Sequence, residues 1–340
     1  MTIIACTLTA QYPASVKVMT YNINAEKHAS GSYNDIAEVI TALAPTVCGL
    51  QKVDSCNSRN SSDVLSWLGN QTSLLPSFAP AIKKYENSTG SYGIGFLTKE
   101  TPLSVRRLWI EHTASEQDRA VLDIKTTLGG EQVHFIVTHL AHEGTSYRTA
   151  QIKTIIPWID SIGTNTPMII MGDFNAAPTE NSMKQFETAG FAYVKEKGGK
   201  ILDTSASQGI NHILYRPAAR WRCNNAGNPA YAASNRNPVW AEMELLDPVS
   251  NLSAADIPKM RVIQDQIALY PSQIQFSTAL PALAGITIFD ASGSVIKKIV
   301  LNGHSGKCIR WHDRPLKGGL YIVRLCTRTT SLRKTAVIIH

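Results

Sequence analysis

Residues 167–178, PMIIMGDFNAAP, decide how the rest of the sequence is interpreted. The apolar run at residues 168–171 has the length and composition of a fully buried strand. Gly172 then allows a turn, and Asp173 and Asn175 follow two positions apart, so in an extended chain their side chains face the same way. A carboxylate and an amide at the end of a buried strand suit a hard cation and a phosphoryl oxygen. Taken alone, the segment is equally well explained as an Asx-rich turn that caps a strand.

Three other predicted strands deliver polar side chains to their carboxyl ends. They are residues 16–23 with Asn22, residues 46–50 with Lys52 just beyond, and residues 132–138 with His139 next. Apolar residues at i, i+3, i+4 and i+7 over residues 36–43 predict an amphipathic helix between the first two. The pattern is typical of an α/β domain with parallel and antiparallel neighbours. It leaves open whether the strands form two packed sheets or one mixed sheet.

Seven short motifs occur in a fixed order along residues 16–246. They are TYNI, LQKVD, YGIGFLTK, VTHLAH, GDFN, NHI and NPVWAEMEL. In order and spacing they resemble the endonuclease/exonuclease/phosphatase family, which is similar to deoxyribonuclease I, apurinic-site nucleases, sphingomyelinases and inositol-phosphate 5-phosphatases. The resemblance implies a two-sheet α/β sandwich of the deoxyribonuclease I-like type. It also implies, by ancestry, a phosphodiesterase that uses Mg²⁺ or Mn²⁺ to hydrolyse phosphoester bonds.

The sequence departs from the family pattern at the positions that carry the chemistry. The family motif LQEVD supplies a metal-binding Glu, and this sequence has Lys52 there. The family's IDH and SDH motifs supply two Asp and the His that deprotonates water; here they correspond to Asn211, Asn235 and Arg236. The residues that persist are Asn22, Arg119, His139, Asp173 and Asn175. By resemblance, Asn22, Lys52 and Asp173 occupy the metal-site positions. The catalytic positions are Asp173 again, with Arg119, His139, Asn175, Asn211, Asn235 and Arg236.

These replacements change the sign of the expected site. Of four carboxylates in the family pattern only Asp173 remains, while Lys52 and Arg236 add positive charge. An ammonium about 4 Å from a divalent cation repels it by about 8 kcal/mol at an effective dielectric near 20. Arg236 cannot accept a proton from water, and losing a general base costs about 10²- to 10⁴-fold in rate. We therefore expect metal binding and catalysis to be weak or absent.

Three functions remain open at this point. The first is a pseudoenzyme that holds a phosphorylated or anionic small molecule through Lys52, Arg119, His139 and Arg236, with the Lys52 ammonium at the former metal position. The second is a working metal-dependent phosphoesterase or nuclease with an unidentified base. The third is a surface interaction module whose old cleft is idle. His142 and His212 are expected to be structural.

Charge is distributed unevenly over the 340 residues. Residues 1–254 carry 21 Lys and Arg against 22 Asp and Glu, whereas residues 255–340 carry 12 against 4. The net charge of +7 therefore belongs to the end of the chain, and the large domain is not a basic nucleic-acid clamp. Nucleic acid is not favoured as a partner. No apolar run reaches 18 residues, so no transmembrane segment is predicted.

The chain is predicted to have four parts. Residues 1–13 resemble the remnant of a signal peptide, although a first strand fits as well; residues 14–246 form the phosphatase-like domain, 247–268 a linker and 269–340 a β-sandwich. The last part resembles the C-terminal sorting domain of the bacterial type IX (Por) secretion system. That resemblance implies the type IX machinery as a partner and a secreted or cell-surface protein. A generic β-sandwich accessory domain is the alternative.

Overall fold

The computed structural model describes residues 13–28, 32–85, 89–111, 117–195 and 209–246, and seven strands between residues 267 and 338. The chain divides into two compact units, Met1–Pro248 and Val249–His340. None of the helices that the structure describes has the length and apolar character needed to cross a membrane. The predicted domain boundaries stay a prediction, because residues 1–12 and 247–266 lie outside the described residues.

The described residues of the first unit form strands and four α-helices. The strands are β1 (Ala14–Asn22), β2 (Val47–Ser55), β3 (Leu75–Ile82), β4 (Ser91–Thr98), β5 (Ser104–Ile110), β6 (Arg119–Leu128), β7 (Glu131–His139), β8 (Met168–Asp173), β9 (Ala192–Tyr193), β10 (Asn211–Arg216), β11 (Trp221–Gly227) and β12 (Val239–Leu245). The helices are α1 (Asn34–Leu43), α2 (Val64–Thr72), α3 (Thr145–Asp160) and α4 (Lys184–Thr188).

The strands form two mixed sheets of six. One has the order β11-β12-β1-β2-β4-β3 and the other β5-β6-β7-β8-β10-β9. Only β1 with β2 and β7 with β8 run parallel among these neighbours. Apolar side chains from both sheets, among them Phe96, Phe135 and Met171, share one buried cluster between them. This arrangement confirms the deoxyribonuclease I-like two-sheet sandwich.

The helices cover the outer faces of the two sheets. Ile36 and Ile40 of α1 pack with Leu65 of α2 and with residues of the first sheet. Ile152 and Ile155 of α3 pack with apolar residues of β8 and α4. Each sheet is therefore buried on both faces near its centre, which explains why the strands at the centre are apolar runs rather than alternating ones.

Local sequence signals set several of the connections. Gly129 and Gly130 have φ of 61° and 86° in the hairpin between β6 and β7, as the Gly-Gly pair predicts. Helix α1 ends before Pro45, with Ala44 in the left-handed region. Helix α2 is capped by Asp63, whose side chain accepts the hydrogen bond of the Ser66 amide.

The described residues of the second unit form only antiparallel strands. They are β13 (Ile267–Tyr270), β14 (Gln273–Phe276), β15 (Leu283–Asp290), β16 (Val295–His304), β17 (Cys308–Arg310), β18 (Gly319–Thr327) and β19 (Ser331–Ile338). They make one sheet of order β13-β14-β17 and one of order β16-β15-β18-β19. Ile286 and Ile288 on β15 are fully buried. The small all-β domain at the end of the chain is thus confirmed as a fold.

Candidate active site

A polar cavity of about 260 Å³ lies where the carboxyl ends of β1, β7 and β8 meet. Parallel pairing explains the convergence, because β1 with β2 and β7 with β8 bring Asn22 beside Gln51 and His139 beside Asp173. Eight of the nine predicted site residues line the cavity: Asn22, Lys52, Arg119, His139, Asp173, Asn175, Asn235 and Arg236. The sequence analysis missed four other lining residues: Glu26, Tyr92, Gln117 and His142.

Asp173 is the buried centre of this cavity, with 1% of its surface exposed. The side-chain Nδ2 of Asn22 donates to its Oδ2 at 2.8 Å, and the Asn175 amide donates to its Oδ1 at 3.0 Å. The chain can make this turn because Gly172 has φ of +155°, and a Cβ there would come within 2.1 Å of the Thr138 carbonyl oxygen. The GDFN motif therefore fixes the carboxylate through both its backbone and its neighbours.

Two cation-capable side chains approach the same carboxylate oxygen. His139 Nε2 and Arg236 Nε each lie 3.9 Å from Oδ2 of Asp173. Burial, reinforced by the charges of Arg119 and Lys52, holds the pKa of His139 well below its usual range, so its imidazole is neutral near pH 7. Burial raises the pKa of Asp173, against the opposing effect of its hydrogen bond from Asn22.

Arg119 contributes a second guanidinium to the cavity. Only 3% of its surface is exposed, and its Nε has no hydrogen-bond partner among the described residues. Burial lowers the pKa of the group, but an arginine is not deprotonated in a protein, so the charge stays. A buried donor without a partner is costly, and a ligand acceptor in the cavity would relieve that cost.

Lys52 is held at the cavity wall by a partner that sequence reasoning did not find. It has φ of +59° and lies where the register of β2 with β4 shifts, which is a β-bulge. Its Nζ is 3.0 Å from Oε2 of Glu26, which belongs to a 3₁₀ helix at Ala25–His28. Arg59 Nη1 lies 3.9 Å from the other oxygen of Glu26. Although burial acts to raise the pKa of Glu26, its backbone hydrogen bond and Lys52 bring the pKa below the usual range.

The remaining predicted residues separate into lining and supporting positions. Asn235 lines the cavity beside Arg236, whose backbone amide donates to Ser234 Oγ at 3.3 Å. Asn211 is buried and pairs in register with Asp173 on the neighbouring strand, but it does not line the cavity. His212 is structural as expected: its Nε2 is 2.9 Å from the Ala176 carbonyl oxygen. His142 was expected to be structural, yet it lies at the cavity with its side chain 59% exposed.

The residues of the cavity do not fit a divalent cation. Proteins usually hold Mg²⁺ through one or two carboxylates, but Asp173 here faces Arg236 and His139, and the Glu26 carboxylate is paired with Lys52. Asn22 turns its amide nitrogen to Asp173, while its oxygen accepts the Asn24 amide at 3.1 Å. Within the described ranges, no three His, Cys, Asp or Glu side chains are grouped so that they could hold a metal ion.

The two-sheet sandwich and the polar cavity at its strand ends, with the GDFN turn at its base, define a phosphoesterase-like or nuclease-like domain. A sequence comparison gives the same answer over most of the domain. The chain belongs to the endonuclease/exonuclease/phosphatase family, whose sequence model matches residues 19–241. Members of that family generally depend on a divalent metal.

Curated relatives include nocturnin from two vertebrates. Nocturnin of Xenopus laevis is 31% identical over 206 residues, which is 53% of this chain and 53% of that protein. Human nocturnin is 30% identical over 200 residues, 51% of this chain and 46% of that protein. The chain thus spans about half the length of the curated relatives it matches.

Solved structures show the same fold at low sequence identity. The human nocturnin catalytic domain with bound sulfate anion has a TM-score of 0.59 at 20% identity, over 68% of this chain and 94% of that one. A family member from Beutenbergia cavernae has a TM-score of 0.58 at 15% identity, over 95% and 100%. A mannosyl-6-phosphatase from Bacteroides thetaiotaomicron has a TM-score of 0.53 at 15% identity, over 67% and 99%.

Proposed function

We propose that the cavity binds the phosphoryl group, or a similar oxyanion, of a small molecule and turns it over slowly or not at all. The observation that carries this proposal is the set of donors around one carboxylate. They are the buried Arg119, whose Nε has no partner in the part of the chain that the structure describes, and Arg236 and His139, each 3.9 Å from Asp173. Guanidinium groups are well suited to oxyanions because their N–H donors match the geometry of paired oxygens.

The same residues argue for impaired catalysis. Arg236 stands where the family has the base, and a guanidinium does not take a proton from water. Asn211 and Asn235 replace the two acids that go with the base, and Lys52 replaces the metal-binding Glu. Any Mg²⁺ or Mn²⁺ bound here is therefore expected to be weak, and the chain is proposed to be a pseudoenzyme of its family.

The relatives support the choice of ligand. A sulfate anion is bound in the structure of the human nocturnin catalytic domain, and a mannosyl-6-phosphatase shares the fold. Sulfate and a phosphoryl group offer the same tetrahedral oxygen acceptors. Only this shared chemistry is proposed for the present cavity, because both structures are less than 25% identical to this chain.

A working phosphoesterase is the second candidate. It is favoured by His139, whose depressed pKa keeps a neutral imidazole next to Asp173 and inside the cavity, where it can accept a proton. In that case Asp173 and Asn175 would hold the substrate, and a metal ion would need a set of ligands different from that of the family. Nucleic acid is less favoured as the substrate, because residues 1–254 have one more acidic than basic residue.

Calorimetric titration with inorganic phosphate, paired with an activity assay, separates these candidates. We expect phosphate to bind to the wild-type protein, Arg236→Gln to weaken it about tenfold or more, and the exposed Arg107→Gln to leave it unchanged. Bis-p-nitrophenyl phosphate and DNA, each with Mg²⁺ or Mn²⁺, should be hydrolysed slowly or not at all. Metal-dependent turnover that is lost in Asp173→Ala would establish the phosphoesterase, and absence of phosphate binding together with absence of turnover would leave the surface module.

We further propose that the second unit directs export through a type IX-like machinery to the cell surface or medium. Its described strands are all antiparallel, and residues 255–340 carry eight more basic than acidic residues. A fusion of residues 249–340 to a periplasmic reporter tests this in a host that has the machinery. Surface exposure of the reporter is expected, and periplasmic retention equal to that of the reporter alone would contradict it.

A further inference from the structure

The charge of Lys52 is largely neutralised before any ligand enters. Its ammonium lies 3.0 Å from Oε2 of Glu26, with the lysine side chain 27% and the glutamate side chain 47% exposed. The other nearby cation, Arg59, is committed elsewhere, because its Nη2 and Nε bind the buried Asp54 at 2.7 and 2.8 Å. Glu26 therefore pairs mainly with Lys52, and this ion pair adds no net charge to the cavity wall.

The remaining charges leave the cavity weakly positive. Arg119 and Arg236 face the carboxylate of Asp173, so that, among the described residues and with Lys52 and Glu26 included, three cations and two carboxylates line the cavity. The net formal charge of these lining side chains is +1. Glu143, which is not among the lining residues, acts electrostatically on Arg119 and reduces the positive potential further. The lining side chains therefore balance one negative charge on a ligand rather than two.

The charge carried by an oxyanion depends on its chemical class. A phosphodiester and a sulfate monoester carry one negative charge at neutral pH. A phosphomonoester carries about −1.5 to −2, because its second pKa is about 6. The inner wall of the cavity is buried at Arg119, His139 and Asp173, so an uncompensated charge there is costly. A monoanion is matched by the lining groups, whereas a dianion leaves one charge unmatched.

We infer that the Glu26–Lys52 pair makes the cavity selective for singly charged oxyanions, a phosphodiester or a sulfate monoester, over the dianion of a phosphomonoester. This inference rests on the proposed function, since it takes the cavity to be an oxyanion site. Glu26 acts here as a specificity-determining residue that subtracts the charge of Lys52, and it does so without touching the ligand. Removing the Glu26 charge should admit the dianion, and removing the Lys52 charge should exclude it more strongly.

The test compares dimethyl phosphate, methyl sulfate and methyl phosphate by calorimetry at pH 8, where methyl phosphate is a dianion. The wild-type protein should bind both monoanions more tightly than the dianion. Glu26→Gln should strengthen binding by at least about fivefold per unit of ligand charge, because the interaction of a wall charge with the ligand grows in proportion to the charge of the ligand. The dianion therefore gains about fivefold more than the monoanions. Lys52→Met should shift the same ratio by about fivefold in the opposite direction.

The matched control is Glu38→Gln, which removes one carboxylate from an exposed position on α1 outside the cavity lining. It should leave the ratio unchanged, which shows that total protein charge is not the cause. A wild-type protein that binds methyl phosphate more tightly than dimethyl phosphate would overturn the selectivity while leaving the oxyanion site in place. An equal gain for all three ligands in Glu26→Gln would overturn the role of Glu26. Failure of all three ligands to bind would overturn the proposed function and this inference with it.

Discussion

At Asp173 the cost of burying a carboxylate is set against the hydrogen bonds and the positive charge around it. Its carboxylate is almost fully buried, and burial raises its pKa because the charged form has lost its water. The Asn22 and Asn175 donors and the nearby Arg236 compensate for part of this loss. The buried Asp173 carboxylate therefore lowers the stability of the fold, and a purely structural protein would avoid this loss.

Two substitutions at this pair should have opposite effects on stability. Asn22→Leu leaves the Asp173 carboxylate without its 2.8 Å donor, so we expect a loss of about 1–3 kcal/mol in the free energy of unfolding. Asp173→Asn removes the buried charge and should be neutral or stabilising. Urea denaturation measures both, with the exposed Asn70→Leu on α2 as the control, expected within about 0.5 kcal/mol. A destabilisation by Asp173→Asn as large as that by Asn22→Leu would contradict this account.

His139 should make stability depend on pH. Its pKa in the folded protein lies well below the ordinary value, chiefly because it is buried, so only the unfolded chain takes up the proton between those two values. The free energy of unfolding therefore decreases as the pH falls below about 6.5, the ordinary histidine pKa. We expect His139→Gln to flatten the fall in unfolding free energy between about pH 6.5 and 5. An imidazole that titrates near 6.5 by NMR in the folded wild-type protein would contradict this.

At the scale of elements, hydrogen bonds from side chains of α3 hold the segment between β7 and α3 in place. Arg148 on α3 donates to the Ala141 carbonyl oxygen at 3.0 Å and pairs with both oxygens of Glu180 at 2.8 and 2.9 Å. Gln151, one turn further, accepts the Ala141 amide at 2.9 Å. These contacts set the backbone that follows His139 and carries His142 to the cavity.

Breaking this support should cost stability in a way that its partner substitution restores. Arg148→Met removes a buried guanidinium and leaves the Ala141 carbonyl and the Glu180 carboxylate without their donor, so we expect a loss of about 2–4 kcal/mol. Glu180 is 22% exposed, which keeps the loss below that of a fully buried pair. The double variant Arg148→Met/Glu180→Gln should recover about half of it in thermal or urea unfolding. Additive effects of the two single substitutions would show that the pair is not coupled.

Elements with strong periodicity were predicted from the sequence, and weakly patterned ones were not. Helix α1 and strands β1, β7 and β8 follow from apolar spacing and lie within a few residues of their predicted positions. The edge strand β3 was missed because Pro76 and Pro80 interrupt it, which only an edge position tolerates. Helix α4 begins only at Lys184, because irregular turns follow the GDFN segment.

The site was predictable to the extent that motifs mark strand ends. Asn22, His139 and Asp173 lie at the ends of β1, β7 and β8, so sheet topology alone brings them together. Glu26 could not be found in this way, because it lies on a short 3₁₀ helix with no apolar period and reaches Lys52 only through the bulge in β2. Its contact is a product of tertiary structure. The nearest sequence signal was an acidic residue four positions after a strand-end asparagine.

For the whole molecule, the family fold and the departures from it support one interpretation. The two-sheet sandwich of the family is present, and we propose that the positions that hold metal and base in the family are occupied here by Lys52, Asn211, Asn235 and Arg236. We propose that selection has kept the cavity and reversed its charge. The basic second unit is separate from this change, since the excess of Lys and Arg lies beyond residue 254.

Restoring the family residues should restore the affinity for metal. The quadruple variant Lys52→Glu, Asn211→Asp, Asn235→Asp and Arg236→His should bind Mn²⁺ in calorimetric titration at least about tenfold more tightly than the wild-type protein, because it regains three carboxylates and loses two cations. The single variant Arg236→His, with all three carboxylates still missing and Lys52 in place, is the control and should gain little. If the folded quadruple variant gains no Mn²⁺ affinity, the assignment of these positions to the family motifs is wrong.

The most direct test is a crystal grown with phosphate and soaked in MnCl₂, with data collected at the manganese absorption edge. We predict phosphate density in contact with Arg119 and Arg236, and no anomalous peak within coordination distance of the Asp173 carboxylate. An anomalous peak beside Asp173, with Lys52 turned away from the cavity, would contradict the claim that this site holds anions in place of a cation.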